Sequence, residues 1–124
     1  VSFGIDVNDQ DKLTTITITG PVDLRASVRA VGDLVRRPTF NFQHDLVVDM
    51  REMSESPVSV GELRVLAWTL NQEGAIGDRK VALILPEGPG EPLRGHVKQL
   101  NEFGGFKMAA FPDMAEAVVW LRAA

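Results

Sequence analysis

The chain has 124 residues, 44% of them hydrophobic and 24% charged, with a formal charge of −4 and no cysteine. A chain of this length buries roughly two-thirds of the surface its unfolded form exposes, enough for one apolar core, and the lack of cysteine excludes disulfides, thiolate nucleophiles and every Cys-containing zinc site. The basic residues are dispersed in runs no longer than two, so no broad positive surface is available to track phosphates, which disfavours nucleic-acid binding.

Phe3, Ile5 and Val7 alternate with Ser2, Gly4 and Asp6, and Ile16 and Ile18 alternate with Thr15, Thr17 and Thr19. Both are period-two strand patterns, and the polar stretch Asn8 to Lys12 joins them as an antiparallel hairpin. Gly20-Pro21 breaks the chain. Leu24, Val28, Val31 and Val35 follow at helical spacing, with Asp23 placed to cap the helix start and Arg36, Arg37 and Pro38 to end it.

Asp45 to Met50 is a short apolar run without helical period, as expected of a strand buried on both faces in a parallel sheet. Lys80 to Leu85 reads the same way. A helix is expected after each: Ser59 to Glu73, closed by Gly74, and Glu91 or Pro92 to Phe103, closed by Gly104-Gly105. Phe106 to Phe111 is the last expected strand. Asp113 to Arg122 is the last expected helix, with Met114, Ala117, Val118 and Leu121 on one face.

The order β-β-α-β-α-β-α-β-α predicts a single α/β domain over residues 1–124, a mixed and mostly parallel sheet flanked by helices. The longest apolar run, Val81 to Pro86, is far short of the roughly 18 residues of a membrane span. With no basic-then-apolar pattern at the N-terminus, the sequence reads as that of a cytoplasmic protein.

This order resembles the STAS fold, and within it the bacterial SpoIIAA-like proteins. The residues that carry the likeness are the opening hairpin ending in Gly20, the motif Leu46-Val-Val-Asp-Met50 with a helix starting about ten residues later, and the ending Phe111-Pro-Asp-Met-Ala-Glu-Ala-Val-Val-Trp-Leu121. In anti-sigma-factor antagonists of that fold, a serine in an Asp-Ser-Ser-Gly loop is phosphorylated to control partner binding. The resemblance places the equivalent position at or near Ser59, in Pro57-Val-Ser-Val-Gly61. The preceding acidic residue and the paired serine are missing, and Val60 intervenes before Gly61.

Ser59-Val-Gly-Glu62 is also a capping box: the Ser59 hydroxyl accepts from the backbone N–H three residues on, while Glu62 reaches back to the N–H of Ser59. Val58 and Leu63 occupy the two positions of a hydrophobic staple. Ser54 and Ser56 lie in the loop itself, where hydroxyls meet water or make local turns. Asp49 ends a buried strand, in the crevice where α/β sheets bind ligands, and its structural role there is to accept from the loop's backbone N–H groups. Asp49, Ser54, Ser56 and Ser59 are thus the ligand or phospho-switch candidates.

Only His44 and His96 are present, neither with a second ligand at metal spacing, so no metal site is expected. His44 precedes a strand and is expected on the surface, as is Arg94. No Gly-x-Ser-x-Gly elbow exists. Pro86-Glu-Gly-Pro-Gly-Glu-Pro92 follows a strand as phosphate loops do, but its prolines remove N–H donors and its glutamates repel phosphate; it reads as a stiff turn. No catalytic constellation and no cofactor site emerge.

In the helix after Ser59, Leu63, Leu66, Ala67 and Leu70 form the core stripe. At about 100° per residue, Val65 and Trp68 fall on the far side with Arg64 and Gln72. A Trp outside the core stripe is an interface anchor unless the fold covers it, and Trp120 raises the same question more weakly. The expected function is a non-enzymatic STAS-type regulatory module that binds a protein partner or a second copy of itself. The alternative is a carrier or sensor of a small lipid-like or anionic ligand, as in lipid-binding relatives of the fold.

Overall fold

The computed structural model describes residues 2–20, 24–38, 43–52, 64, 65, 68, 72, 80–85, 94, 95, 97 and 107–123. Five strands form one sheet in chain order: β1 (Ser2–Asn8), β2 (Leu13–Thr19), β3 (Asp45–Glu52), β4 (Val81–Ile84) and β5 (Met108–Phe111). The first pair is antiparallel and the other three pairs are parallel. Helix α1 (Leu24–Val35) lies between β2 and β3, and helix α2 (Met114–Arg122) follows β5. Residues 64, 65, 68 and 72 between β3 and β4, and 94, 95 and 97 between β4 and β5, are helical where described. The ends of those two helices, the Asp23 cap and the α1 stripe side chains lie outside the described residues.

The hairpin forms as its pattern requires, with Ile5 opposite Ile16 and Phe3 opposite Ile18. Its turn is closed by Asn8, whose amide N donates to the Asp11 carboxylate at 2.9 Å and whose Oδ1 accepts from the Asp11 N–H at 3.0 Å. Asx side chains close turns in this way because they mimic a backbone peptide. Lys12 takes a φ of 55° to bring the chain back, and its carbonyl accepts from the Asp45 N–H at 3.1 Å, which sets the start of β3 beside β2.

Side chains alternate across the strands, and here they divide into two apolar layers. Val47, Ala82 and Ile84 face α2 and form a cluster with its Ala117 and Leu121, edged by Leu13, Phe111, Met114 and Trp120. Ile16, Ile18, Leu46, Val81, Leu83 and Met108 have the opposite parity and are buried on the other face. All four residues of β4 are therefore buried, as expected for an interior strand of a parallel sheet. Each fully buried Leu, Ile or Val contributes on the order of 1.5–3 kcal/mol, so β3 and β4 are the most strongly held part of the sheet.

Helix α2 starts where its chemistry dictates. Asp113 is extended, with φ −149° and ψ 169°, and its Oδ1 accepts from the Glu116 N–H at 2.9 Å. At the other end Lys80 donates to the carbonyls of Trp120 at 2.9 Å and Ala123 at 2.6 Å. Both contacts satisfy backbone groups that a helix leaves open at its ends, and both place charge favourably on the helix dipole. Arg122 reaches back to the Asp11 carbonyl and ties α2 to the hairpin turn. No helix among the described residues is long and apolar enough to cross a membrane.

His44 corrects the sequence expectation. Although it precedes a strand, it is only 3% exposed. Its Nδ1 lies 3.3 Å from the Oγ1 of fully buried Thr14, and its Nε2 lies 3.4 Å from Asp9 Oδ1. The hairpin turn carries Asp9 over it, a long-range contact that strand periodicity does not reveal. Arg94 likewise is half-buried rather than exposed.

Candidate functional site

The parallel strands end together at one edge of the sheet, where open α/β sheets place their ligands. There Thr17 pairs with Asp49 and Thr19 with Glu52, with an irregularity in register between them. Gly20 ends β2 at a φ of 88°, a conformation that costs a residue with a Cβ but not glycine. This turn lets its N–H donate to the Glu52 carbonyl at 3.1 Å, while the Thr19 hydroxyl donates to the Glu52 carboxylate at 3.4 Å. The hairpin's end is thus tied to the last residue of β3.

Asp49 does not end its strand, because β3 continues through Arg51 to Glu52. Residues two apart share a face of a strand, so Arg51 stands beside Asp49 and folds back on it. Arg51 Nε donates to Oδ1 at 3.0 Å, Nη2 to Oδ2 at 2.8 Å, and the Arg51 backbone N–H to Oδ1 at 3.1 Å. The backbone donor is Arg51, within β3 itself, whereas the loop N–H groups expected to bond Asp49 lie outside the described residues; the guanidinium dominates.

These side-chain hydrogen bonds hold the Asp49 carboxyl below its ordinary range, against the opposing effect of burial; the backbone bond and the charge of Arg51 add to the lowering. The guanidinium is correspondingly pushed up, first by its hydrogen bonds to Asp49 and then by that carboxylate's charge, with Asp113 and Glu52 adding smaller contributions. A carboxylate kept ionised and held on both oxygens has no proton to donate, and an acceptor role would require breaking a bidentate pair. The pair is suited to fixing the end of β3.

Ser54, Ser56 and Ser59, the expected loop and capping residues, lie outside the described residues, as do His96 and the Pro86 to Pro92 turn. Val65 and Trp68 are described, and both are exposed, at 48% and 59%. Arg64 and Gln72 are exposed on the same helical stretch. Among the described residues, no group of three or more His, Asp or Glu is arranged to hold a metal ion.

A second surface escapes the sequence reading. Phe111, Ala115, Glu116, Val119, Trp120 and Ala123 line an open groove of about 640 Å³ on the outside of α2. Val119 is 72% exposed there, and the Trp120 ring leans on Phe111 with centroids 5.5 Å apart. The signal was available in the run Ala117-Val-Val-Trp-Leu121. It is apolar all round, whereas a helix packed on one side of a sheet can bury only part of its circumference.

No family model matches the sequence, and no curated protein matches it significantly. Among solved structures, an anti-sigma factor antagonist from Mycobacterium paratuberculosis is 22% identical, superposing with a TM-score of 0.64 over 98% of this chain and 96% of its own. A protein of the DUF3478 family from Shewanella loihica, described as having a SpoIIAA-like fold, is 17% identical, with a TM-score of 0.61 over 97% of this chain and 92% of its own. At these identities the likeness speaks for architecture. An antiparallel hairpin leading into a parallel sheet in sequential order, matched over nearly the full length of both neighbours, establishes that this chain has the STAS-type, SpoIIAA-like fold.

Proposed function

We propose that the chain is a non-enzymatic regulatory module that acts by binding a protein. The observation that carries this reading is Trp68, a large aromatic side chain 59% exposed beside Val65 on a helical surface of a fold shared with an anti-sigma factor antagonist. An aromatic residue left in water by its own fold contributes most when a partner desolvates it. Asp49 supports the same reading, since its engagement by Arg51 gives it a structural task.

The loop serines enter as the means of control. Ser59, at the expected helix start, is the position where phosphate would meet free N–H groups and the positive end of the helix dipole, with Glu62 opposing it. Phosphate on Ser54, Ser56 or Ser59 would add negative charge to the segment that precedes Val65 and Trp68 in sequence.

Native mass spectrometry of the gently purified chain tests this reading, because one spectrum reports subunit number, covalent phosphate and retained small molecules. A dimer, or a complex with a co-purifying protein, that Trp68→Arg dissolves while circular dichroism stays unchanged is the expected result. A complex indifferent to Trp68→Arg would remove the interface. A reproducible noncovalent small-molecule mass would replace the module by a ligand carrier or sensor.

A further inference from the structure

β1 is the outermost strand of the sheet. All seven of its residues pair with β2, from Ser2 opposite Thr19 to Asn8 opposite Leu13, with no shift in register. The other side of its backbone carries a row of N–H and C=O groups that meets no strand among the described residues. We propose that this edge joins the same edge of a second copy of the chain, antiparallel about a twofold axis at Ile5, so that two sheets become one. The inference goes beyond the regulatory reading and leaves Trp68 for a protein partner of another kind.

Proteins keep exposed edges from pairing by means of proline, lysine, a bulge, an inward-pointing charge or a very short strand. The opposite edge, β5, is only four residues long and runs into α2. β1 has none of these defences. Ser2–Asn8 contains no proline and no lysine, its ladder with β2 is unbroken, and its one charged residue, Asp6, is exposed.

The pattern of β1 selects a copy of itself as the occupant. A twofold interface sets one patch against the same patch, and directly opposed residues of an antiparallel pair share a face of the sheet. With the axis at Ile5, Phe3 faces the copy's Val7, Ile5 faces Ile5, Gly4 faces Asp6 and Ser2 faces Asn8. Every residue of the strand is then paired. An axis at Gly4 leaves Val7 and Asn8 without partners, and one at Asp6 opposes two carboxylates. Phe3, Ile5 and Val7 are half-buried and extend the apolar layer of Ile16 and Ile18 to the sheet edge. The same residues of the copy complete their cover, while the strand's only charge falls opposite glycine and meets no like charge.

Sedimentation equilibrium of the full chain over a range of concentrations tests the pairing. One strand pair is a small interface, so a concentration-dependent monomer–dimer equilibrium is expected. Gly4 is the position to vary, because it is exposed and a Cβ there would lie 4.0 Å from the Thr17 Cβ, an ordinary contact. Relative to Gly4→Ala, Gly4→Lys sets an ammonium opposite Asp6 twice over and is expected to tighten the dimer about two- to thirtyfold, while Gly4→Asp weakens it by a similar factor. Adding Asp6→Lys to Gly4→Asp is expected to restore it. Circular dichroism should match the parent throughout, and Trp68→Arg should leave the dimer unchanged. A chain that stays monomeric at its highest soluble concentration, or a dimer that responds alike to Gly4→Lys and Gly4→Asp, would overturn the proposal. A dimer that Trp68→Arg dissolves would also overturn it, by assigning self-association to the Trp68 surface and leaving the regulatory reading in place.

Discussion

Arg51 grips Asp49 from the same face of β3, its Nε and Nη2 reaching the two carboxylate oxygens at 3.0 and 2.8 Å. The Asp49 side chain is 14% exposed and that of Arg51 45%, so water screens the pair on one side only. Because the folded carboxyl is held below its ordinary value of 3.8, its contribution is fully present above that value and is lost as pH falls through the folded one. Asp49→Asn is expected to cost about 1 kcal/mol at neutral pH. The difference from the parent chain should shrink below about pH 4, where the parent itself loses the charge. Urea denaturation at a series of pH values measures it; a difference that persists unchanged in acid would show that Asp49 contributes through packing.

His44 and Thr14 form a buried polar pair, so each protects the other from being stranded without a partner. Each ring nitrogen has one polar neighbour, Nδ1 the Thr14 hydroxyl and Nε2 the Asp9 carboxylate. Thr14→Val is expected to cost about 1–3 kcal/mol, because it leaves Nδ1 buried and unpaired. His44→Phe carries a similar cost by orphaning the hydroxyl. The double variant should be less destabilised than the two single losses added together, with a coupling of about 0.5–3 kcal/mol. Strict additivity in a double-mutant cycle would show that the 3.3 Å approach has no energetic weight.

What the sequence made legible followed periodicity and end chemistry. Alternation in Phe3 to Val7 and Thr15 to Thr19 located the hairpin, the unbroken apolar runs located β3 and β4, and Asp113 located the start of α2. These signals are local, and each is written within a few residues of the element it specifies. Three features were not legible, two because they depend on residues distant in sequence and one because it depends on where a strand ends. His44 is buried by a turn some 30 residues away, Lys80 caps a helix 40 residues later, and Asp49 is taken by Arg51 because β3 runs two residues beyond its apolar stretch. The helical wheel put Val65 and Trp68 on the side away from the core stripe and left open whether the fold covers that side; both are exposed. Ser54, Ser56 and Ser59 remain readings of the sequence.

The ends of α2 are held by side chains from opposite ends of the sheet, which makes the helix sensitive to two separate substitutions. Asp113→Ala removes the oxygen that accepts from the Glu116 N–H and is expected to cost about 0.5–2 kcal/mol. Lys80→Met keeps most of the aliphatic stem over Trp120 while removing the ammonium that bonds the Trp120 and Ala123 carbonyls. Its expected cost is about 0.5–1 kcal/mol, with faster amide exchange confined to the last turn of α2. Hydrogen exchange separates the two: Asp113→Ala should loosen the first turn and Lys80→Met the last. Loosening at both ends from either change would mean that α2 opens as one unit.

The two tryptophans should respond oppositely to removal. Trp68 is 59% exposed, and a surface side chain of this kind changes stability by no more than about 0.5 kcal/mol when replaced by alanine. Trp120 is half-buried, stacked at a tilt against Phe111, covered by Lys80 and packed on the Val47, Ala82 and Ile84 layer. Complete truncation of a buried Trp costs about 3–5 kcal/mol, so a half-buried one should cost about 1–3 kcal/mol. Chemical denaturation of Trp68→Ala and Trp120→Ala gives both values directly. If Trp68→Ala proved the more destabilising, the helix carrying it would be packed through that side chain, and its exposed ring could not be the anchor of a protein interface.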